Sequence, residues 1–115
     1  TFEVSDEERN VIYEKAWQEG GQAMLFAFTD LLTDEKANET AAEFVRNKIR
    51  KIVNDKETAE KLCPKNHPIG TKRLCLDSNY FETYNKNNVS LIDISNDPIE
   101  KITEKGLFTN NIEYV

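Results

Sequence analysis

An α+β fold, mainly α, is what this sequence predicts: an N-terminal helical subdomain of about four helices, then a Pro/Gly loop, then a few β-strands and a hairpin. Three observations carry it. A capping box, Ser5 with Glu8, opens a helical pattern near the N-terminus. Between Ala37 and Val53 apolar residues recur at the helical period. After Pro64 the chain changes to Pro and Gly punctuation and short β-branched runs.

The first helix starts after Ser5, with Asp6, Glu7 and Glu8 where the positive end of a helix dipole favours them. It runs to about Glu19 and stops at Gly20-Gly21, with Val11, Ile12, Ala16 and Trp17 as its apolar side. Met24-Leu25-Phe26-Ala27-Phe28, followed by Leu31-Leu32, reads as a short buried helix. The third helix is capped by Thr33 or Asp34, carries Ala37, Ala41, Phe44, Val45, Ile49, Ile52 and Val53 on one face, and ends near Asn54. A short helix from Asp55 to Leu62 is halted by Pro64. The expected core draws on Ile12, Trp17, Phe26, Phe28, Phe44, Val45, Ile49 and Ile52.

Residues 63–73 form a loop broken by Pro64, Pro68 and Gly70. Val89-Ser-Leu-Ile-Asp-Ile94 reads as a mostly buried strand. Such a strand expects cover on both faces, and no parallel partner is evident, so the rest of its sheet is expected outside this chain. Ile99–Thr103 and Leu107–Thr109 flank Glu-Lys-Gly as a hairpin, and Ile112–Val115 adds a last strand.

Composition narrows the function. A net charge of −6 argues against binding duplex nucleic acid through its phosphates. The basic residues that do cluster, Arg46, Lys48, Arg50, Lys51 and Lys56, alternate with apolar ones at helical spacing and read as a solvated helix face. No apolar run approaches the roughly 20 residues that span a bilayer. The opening residues resemble neither a signal nor a transit peptide, so a cytoplasmic setting with reduced thiols is expected. Cys63, Cys75 and His67 are one ligand short of a structural zinc site, and no metal is expected. Asn38-Glu-Thr and Asn88-Val-Ser match the glycosylation acceptor pattern and read as chance matches without a secretory signal. The carboxylate pairs Glu7-Glu8 and Asp34-Glu35 stand at helix starts and read as caps.

No phosphate-cradling glycine motif is present, neither G-x-G-x-x-G nor G-x-x-x-x-G-K, and there is no G-x-S-x-G nucleophile elbow. The segment with chemical potential is Gly70-Thr-Lys72-Arg73, set between Pro68 and Leu74-Cys75-Leu76. Lys offers a point charge and Arg a planar fork, so adjacent cations beside apolar residues can hold an anion. By physics alone, solvated surface stays open as the alternative.

Pro64-Lys-Asn-His67-Pro68-Ile69-Gly70-Thr71-Lys72-Arg73-Leu74 resembles the stretch that carries the active-site arginine of Baeyer–Villiger monooxygenases. Asp77-Ser-Asn-Tyr80-Phe81-Glu-Thr-Tyr84-Asn85-Lys86-Asn87-Asn88-Val89 is similar to that family's Tyr-Tyr-Glu-Thr-Tyr-Asn-Arg-Asp-Asn-Val run. Ser5-Asp-Glu-Glu-Arg, Tyr13-Glu-Lys-Ala-Trp17, Thr33-Asp34 and Ala37-Asn38-Glu39 resemble it as well, in order. Phe81 for Tyr and Lys86-Asn87 for Arg-Asp are the departures, and both spare Gly-Thr-Lys-Arg.

The resemblance implies an internal fragment of a larger α/β enzyme with two dinucleotide domains. Residues 1–64 would be the helical insertion of the NADP domain, and 65–115 the active-site loop with part of that domain's strands. The full-length enzyme would use FAD, NADPH and O2 to turn a ketone into an ester or lactone. Arg73 aligns with the catalytic arginine, held to stabilise the negative charge of the flavin peroxide and to contact cofactor. Lys72 aligns with a contact to the NADPH 2′-phosphate, and Leu74 with a position lining the substrate pocket. Alone, the fragment is expected to be inactive, to bind neither cofactor tightly, and to self-associate through exposed strand edges. Two rivals remain: a related flavin monooxygenase acting on nitrogen or sulfur, and a non-catalytic small helical binding module.

Overall fold

Helix α1 spans Asp6–Glu19 because its ends are locally specified. The Ser5 hydroxyl accepts from Glu8 N at 3.2 Å, and the Glu8 carboxylate accepts from Ser5 N at 3.0 Å. Gly20 closes the helix at φ +72°, and its N–H donates to Ala16 O at 3.1 Å. The computed structural model describes residues 1–115. A 3-10 turn, Ala23–Phe26, comes next. Helix α2, Glu35–Ile52, is capped by Asp34, whose carboxylate accepts from Ala37 N at 2.8 Å. Helix α3, Lys56–Leu62, is capped in the same way by Asp55, accepting from Thr58 N at 2.8 Å. A one-turn helix α4, Tyr80–Thr83, lies where no helix was expected, and the Asp77 carboxylate accepts from its Tyr80 N at 2.6 Å.

Three strands, β1 Lys101–Ile102, β2 Leu107–Thr109 and β3 Ile112–Tyr114, form an antiparallel meander in the order β1-β2-β3. Ile102 pairs with Leu107 and Thr109 with Ile112. The β2–β3 connection is the two-residue turn Asn110-Asn111, with φ +48° and +58°. Positive φ at both central residues is the primed turn that matches strand twist, and Asn tolerates it. The Thr109 hydroxyl donates to Asp97 O at 2.6 Å and braces the strands from behind.

The core departs from the expected one. Its larger cluster is Tyr13, Ala16, Met24, Leu31, Ala37 and Ala41; the smaller is Ile49, Val53, Ala59 and Cys63. Of the expected core residues only Ile49 is fully buried, while Trp17, Phe28, Phe44 and Val45 pack against these clusters half-buried. Helix α1 docks through residues 13, 16 and 17, which puts Val11 on the far side. Tyr13 meets Phe28 edge-on at 5.5 Å and Phe44 at 5.4 Å, and its hydroxyl is bonded to Thr40 at 2.7 Å. Small alanines on α2 let that ring approach.

The expected short buried helix over 24–32 is a single 3-10 turn. With three residues per turn, Met24 points inward and Phe26 stands 74% exposed. The expected strand 89–94 is not a strand: it is irregular and unpaired, with Ile92 and Ile94 exposed. It pairs with no other segment here, and a lone strand gains no hydrogen bonds to offset ordering. The basic face of α2 also needs correction. Arg46 is only 8% exposed, with Nε on Glu43 at 2.7 Å, Nη1 on Pro64 O at 3.2 Å and Nη2 on Glu39. Burial opposes its charge, but the bonds from Glu43 and Glu39 outweigh that and hold its pKa above the ordinary value.

The whole is elongated, 56 × 27 × 22 Å, with a radius of gyration of 17.4 Å. A compact domain of this length would measure about 13 Å. Ile92, Ile94, Ile99, Ile102, Leu107 and Ile112 all stand exposed, so the C-terminal third leaves much apolar surface uncovered. No helix is long and apolar enough to cross a membrane.

Candidate functional site

Lys72 and Arg73 sit in the irregular segment between α3 and α4, and α2 is the element that places it. Asn38, buried on α2, reaches Ile69 by two bonds: its amide Nδ2 donates to Ile69 O at 2.9 Å and its Oδ1 accepts from Ile69 N at 2.9 Å. The remaining Nδ2 hydrogen goes to Leu31 O at 2.8 Å. The Asn38-Glu-Thr acceptor pattern is therefore occupied as an internal tie, not available to a glycan.

Gly70 comes next, at φ +89°. A Cβ there would lie 2.9 Å from Leu32 Cδ2 and 3.0 Å from Leu25 Cδ2, so the backbone passes directly over these leucines. The chain then turns. Thr71 N and its hydroxyl both donate to Pro68 O, at 3.3 and 2.8 Å. Downstream, Asn85 makes a second tie to the far end of α2: its Nδ2 donates to Ile52 O at 2.7 Å and its Oδ1 accepts from Asn54 N at 2.8 Å. Phe81 and Tyr84 add apolar contact with the Ile49 cluster.

Between these two ties Lys72 and Arg73 are exposed, and neither has an acidic partner within ion-pair distance. Several cations of the helical half are paired instead. Arg50 and Lys65 share Glu60, at 2.5 and 2.7 Å, and hold its carboxyl down to about 2, with Arg50 the larger influence. Lys48 pairs with Glu14 at 2.5 Å and lies over the Trp17 and Phe44 rings. Two unpaired cations adjacent in sequence, just beyond a braced backbone, suit an anionic group such as a phosphate. Nothing in the segment could cradle a whole dinucleotide, since the glycine-rich strand-to-helix turn is absent from the sequence.

Leu74 is half-buried, beside exposed Cys75 and Leu76. Cys63 is buried, its thiol pushed up by burial, and Cys75 is exposed, so the two play different parts. No cluster of three or more His, Cys, Asp or Glu side chains is placed to hold a metal ion. The cleft between α1 and α2, about 940 Å³, is lined by self-paired charges including Glu14, Lys48, Glu43 and Arg50. Sequence reasoning named Lys72, Arg73 and Leu74 and passed over Asn38 and Asn85. An Asn among the alanines of an apolar helix face was the available signal, because Asn is a poor helix former.

No family model matches the chain. It is 46% identical over 110 residues to the cyclopentanone 1,2-monooxygenase of a Comamonas species, covering 93% of this chain and 20% of that protein. It is 44% identical over 106 residues to a Baeyer–Villiger monooxygenase of Pseudooceanicola batsensis, covering 90% and 19%. A phenazine N-monooxygenase of Lysobacter antibioticus is 42% identical over 110 residues, covering 94% and 20%. Among solved structures, an oxidized steroid monooxygenase bound to NADP superimposes with a TM-score of 0.94 at 48% identity, covering 97% of this chain and 21% of that one. The chain spans about a fifth of the length of the relatives it matches.

Proposed function

By sequence and by fold the chain is homologous to one segment of the Baeyer–Villiger monooxygenases, and we propose that it works as that segment of a longer enzyme. In this reading the enzyme oxidises a ketone to an ester or lactone with O2, and residues 65–76 carry part of its cofactor and oxygen-transfer site. Residues 1–64 act as the helical insertion that braces this segment. The observation that supports the reading is the unpaired Lys72–Arg73 pair, just beyond a tied backbone in the aligned stretch. The exposed apolar residues over 92–112 support it too, since a longer chain would cover that surface.

FAD and NADPH, when bound, supply oxygen activation and the hydride. Lys72 contributes a point charge suited to the NADPH 2′-phosphate. Arg73 would contribute a guanidinium to the negative charge that develops during oxygen transfer, and Leu74 would contribute an apolar wall for substrate. A preorganised cation needs no reorganisation when that charge appears, which makes such a group a large catalytic contributor.

The test is Arg73→Ala in the full-length enzyme. Loss of about 4 kcal/mol of stabilisation slows ester formation roughly a thousandfold. Arg73→Lys restores little, because a point charge does not copy the fork. Lys72→Ala raises the KM for NADPH more than for NADH, since only NADPH has the 2′-phosphate. Ester formed at near wild-type rate by Arg73→Ala refutes the assignment. The 115-residue chain by itself binds neither cofactor tightly and self-associates through its strand edges. A Kd for FAD near about 1 μM by titration calorimetry, or a strictly monomeric chain in solution scattering, contradicts those two points.

A second reading, oxygenation at nitrogen, is favoured by one observation, the 42% identity to a phenazine N-monooxygenase. A panel pairing cyclic ketones with aromatic N-heterocycles separates the two.

A further inference from the structure

We propose that Asn38 is the positioning residue for the Lys72–Arg73 pair: from inside the helical core it fixes both backbone polar groups of Ile69 and so sets where the two cations emerge. The inference rests on the reading of Lys72 and Arg73 given above.

Asn is costly where it stands. It is 6% exposed in the first half of an 18-residue helix, flanked by buried Ala37, Ala41 and Ala42. A primary amide in such a place loses its water and weakens the helix, unless every polar atom finds a partner. Here all do. Both Nδ2 hydrogens and the Oδ1 are used, and two of the three bonds converge on a single residue 31 positions away. Bonding the N–H and C=O of one residue together copies a rung of a β-ladder and fixes the dihedral angles of Ile69.

The two residues that follow Ile69 are held as well. Gly70 is pressed against Leu25 and Leu32, and Thr71 is folded back onto Pro68 O. Lys72 is three residues beyond Ile69, a reach of about 10 Å at full extension. Between Lys65, paired with Glu60, and Asn85, bonded to Ile52 and Asn54, the Asn38–Ile69 rung is the sole hydrogen-bonded tie from this segment to the helices. Without it, the segment carrying both cations is hydrogen-bonded to the helices only at its two ends and otherwise held by the apolar contacts of Ile69, Gly70 and Phe81. Asn38 touches neither cation and acts entirely through the backbone.

The full-length enzyme carrying Asn38→Leu, which keeps the number and branching of the side-chain heavy atoms, adds some bulk and removes the bonds, is the test. Hydrogen exchange over residues 66–76 is expected to accelerate at least tenfold, with α1 and α2 still protected and FAD content unchanged. Affinity for NADP⁺ is expected to fall about tenfold. Ester formation falls in the wild-type background but hardly further in Arg73→Ala, because no guanidinium remains to be misplaced. If Asn38→Leu does not fold, Asn38→Ser, which keeps one polar atom and leaves room for water, is measured in the same way, with smaller effects in the same direction. Unchanged exchange over 66–76 overturns the proposal, as does loss of ester formation that simply adds to that of Arg73→Ala. Should Arg73→Ala itself leave ester formation intact, the role of Arg73 fails, while exchange and NADP⁺ affinity still decide the role of Asn38.

Discussion

Gly70→Ala strains the segment that carries Lys72 and Arg73, and the structure fixes how much. Two costs arise. The first is backbone: at φ +89° a side chain costs about 1–2 kcal/mol, as any L-residue does in the left-handed region. The second is packing. The new methyl would lie 2.9 Å from Leu32 Cδ2 and 3.0 Å from Leu25 Cδ2, inside ordinary contact distance. Those atoms are the far ends of flexible side chains, so they rotate away at about 1 kcal/mol, the lower end of overpacking costs. The sum is about 2–3 kcal/mol. Gly21→Ala isolates the first cost, because Gly21 also has positive φ, +60°, and the nearest atom to the added methyl, Leu76 Cδ2, lies at an ordinary contact distance of 3.7 Å. It should lose about 1–2 kcal/mol. Urea unfolding followed by far-ultraviolet circular dichroism and by the fluorescence of Trp17, the one tryptophan, measures both variants. Trp17 packs on the cluster that holds Leu31 and Met24, so it reports the same helical unit. A loss at Gly70 no greater than at Gly21 refutes the packing argument, and with it the close seating of the segment on Leu25 and Leu32.

Arg46→Ala should cost about 2–3 kcal/mol, as charge-assisted bonds to Glu43, Glu39 and Pro64 O are lost. Arg46→Met should cost less, because it keeps the apolar stem, and equal losses in thermal melts would mean that charge alone matters. Acid should loosen the α2–α3 junction. The Glu60 carboxyl, held down to about 2 first by Arg50 and then by Lys65, starts from an unfolded value of 4.5. A depressed carboxyl contributes stability that is present above its unfolded value and is lost as pH falls through its folded one, so the midpoint should drop between about pH 4.5 and 2. Glu60→Gln should flatten that drop, and an unchanged slope would remove Glu60 from the explanation. Cys75 should react with a maleimide well before Cys63, which is buried with its thiol pKa raised by burial. Peptide mapping that finds Cys63 labelled first would contradict the packing of α3.

The ends of α1, α2 and α3 were legible in the sequence because they are local events, whereas α4 and the 3-10 turn over 23–26 were not read from it. Ser5 with Glu8, Asp34, Asp55 and Gly20 each act within four residues, and each does in the structure what its type and place imply. The hairpin strands were legible for the same reason, and so were the two exposed cations, whose family resemblance lies in one continuous stretch. Only tertiary structure could decide the rest. Tyr13 and Leu31 enter the core ahead of Phe26 because docking selects one face of each turn, and periodicity does not say which face meets a partner. Arg46 is buried because Glu39, Glu43 and Pro64 O converge on it, the last from 18 residues away. The run 89–94 has the composition of a strand and stays unpaired, since a strand exists only with a neighbour to complete its ladder. Asn38 shows the difference most clearly. Its helix was foreseeable, but its tie to Ile69 spans 31 residues, and a contact of that range exists only once α2 and the loop are folded against each other.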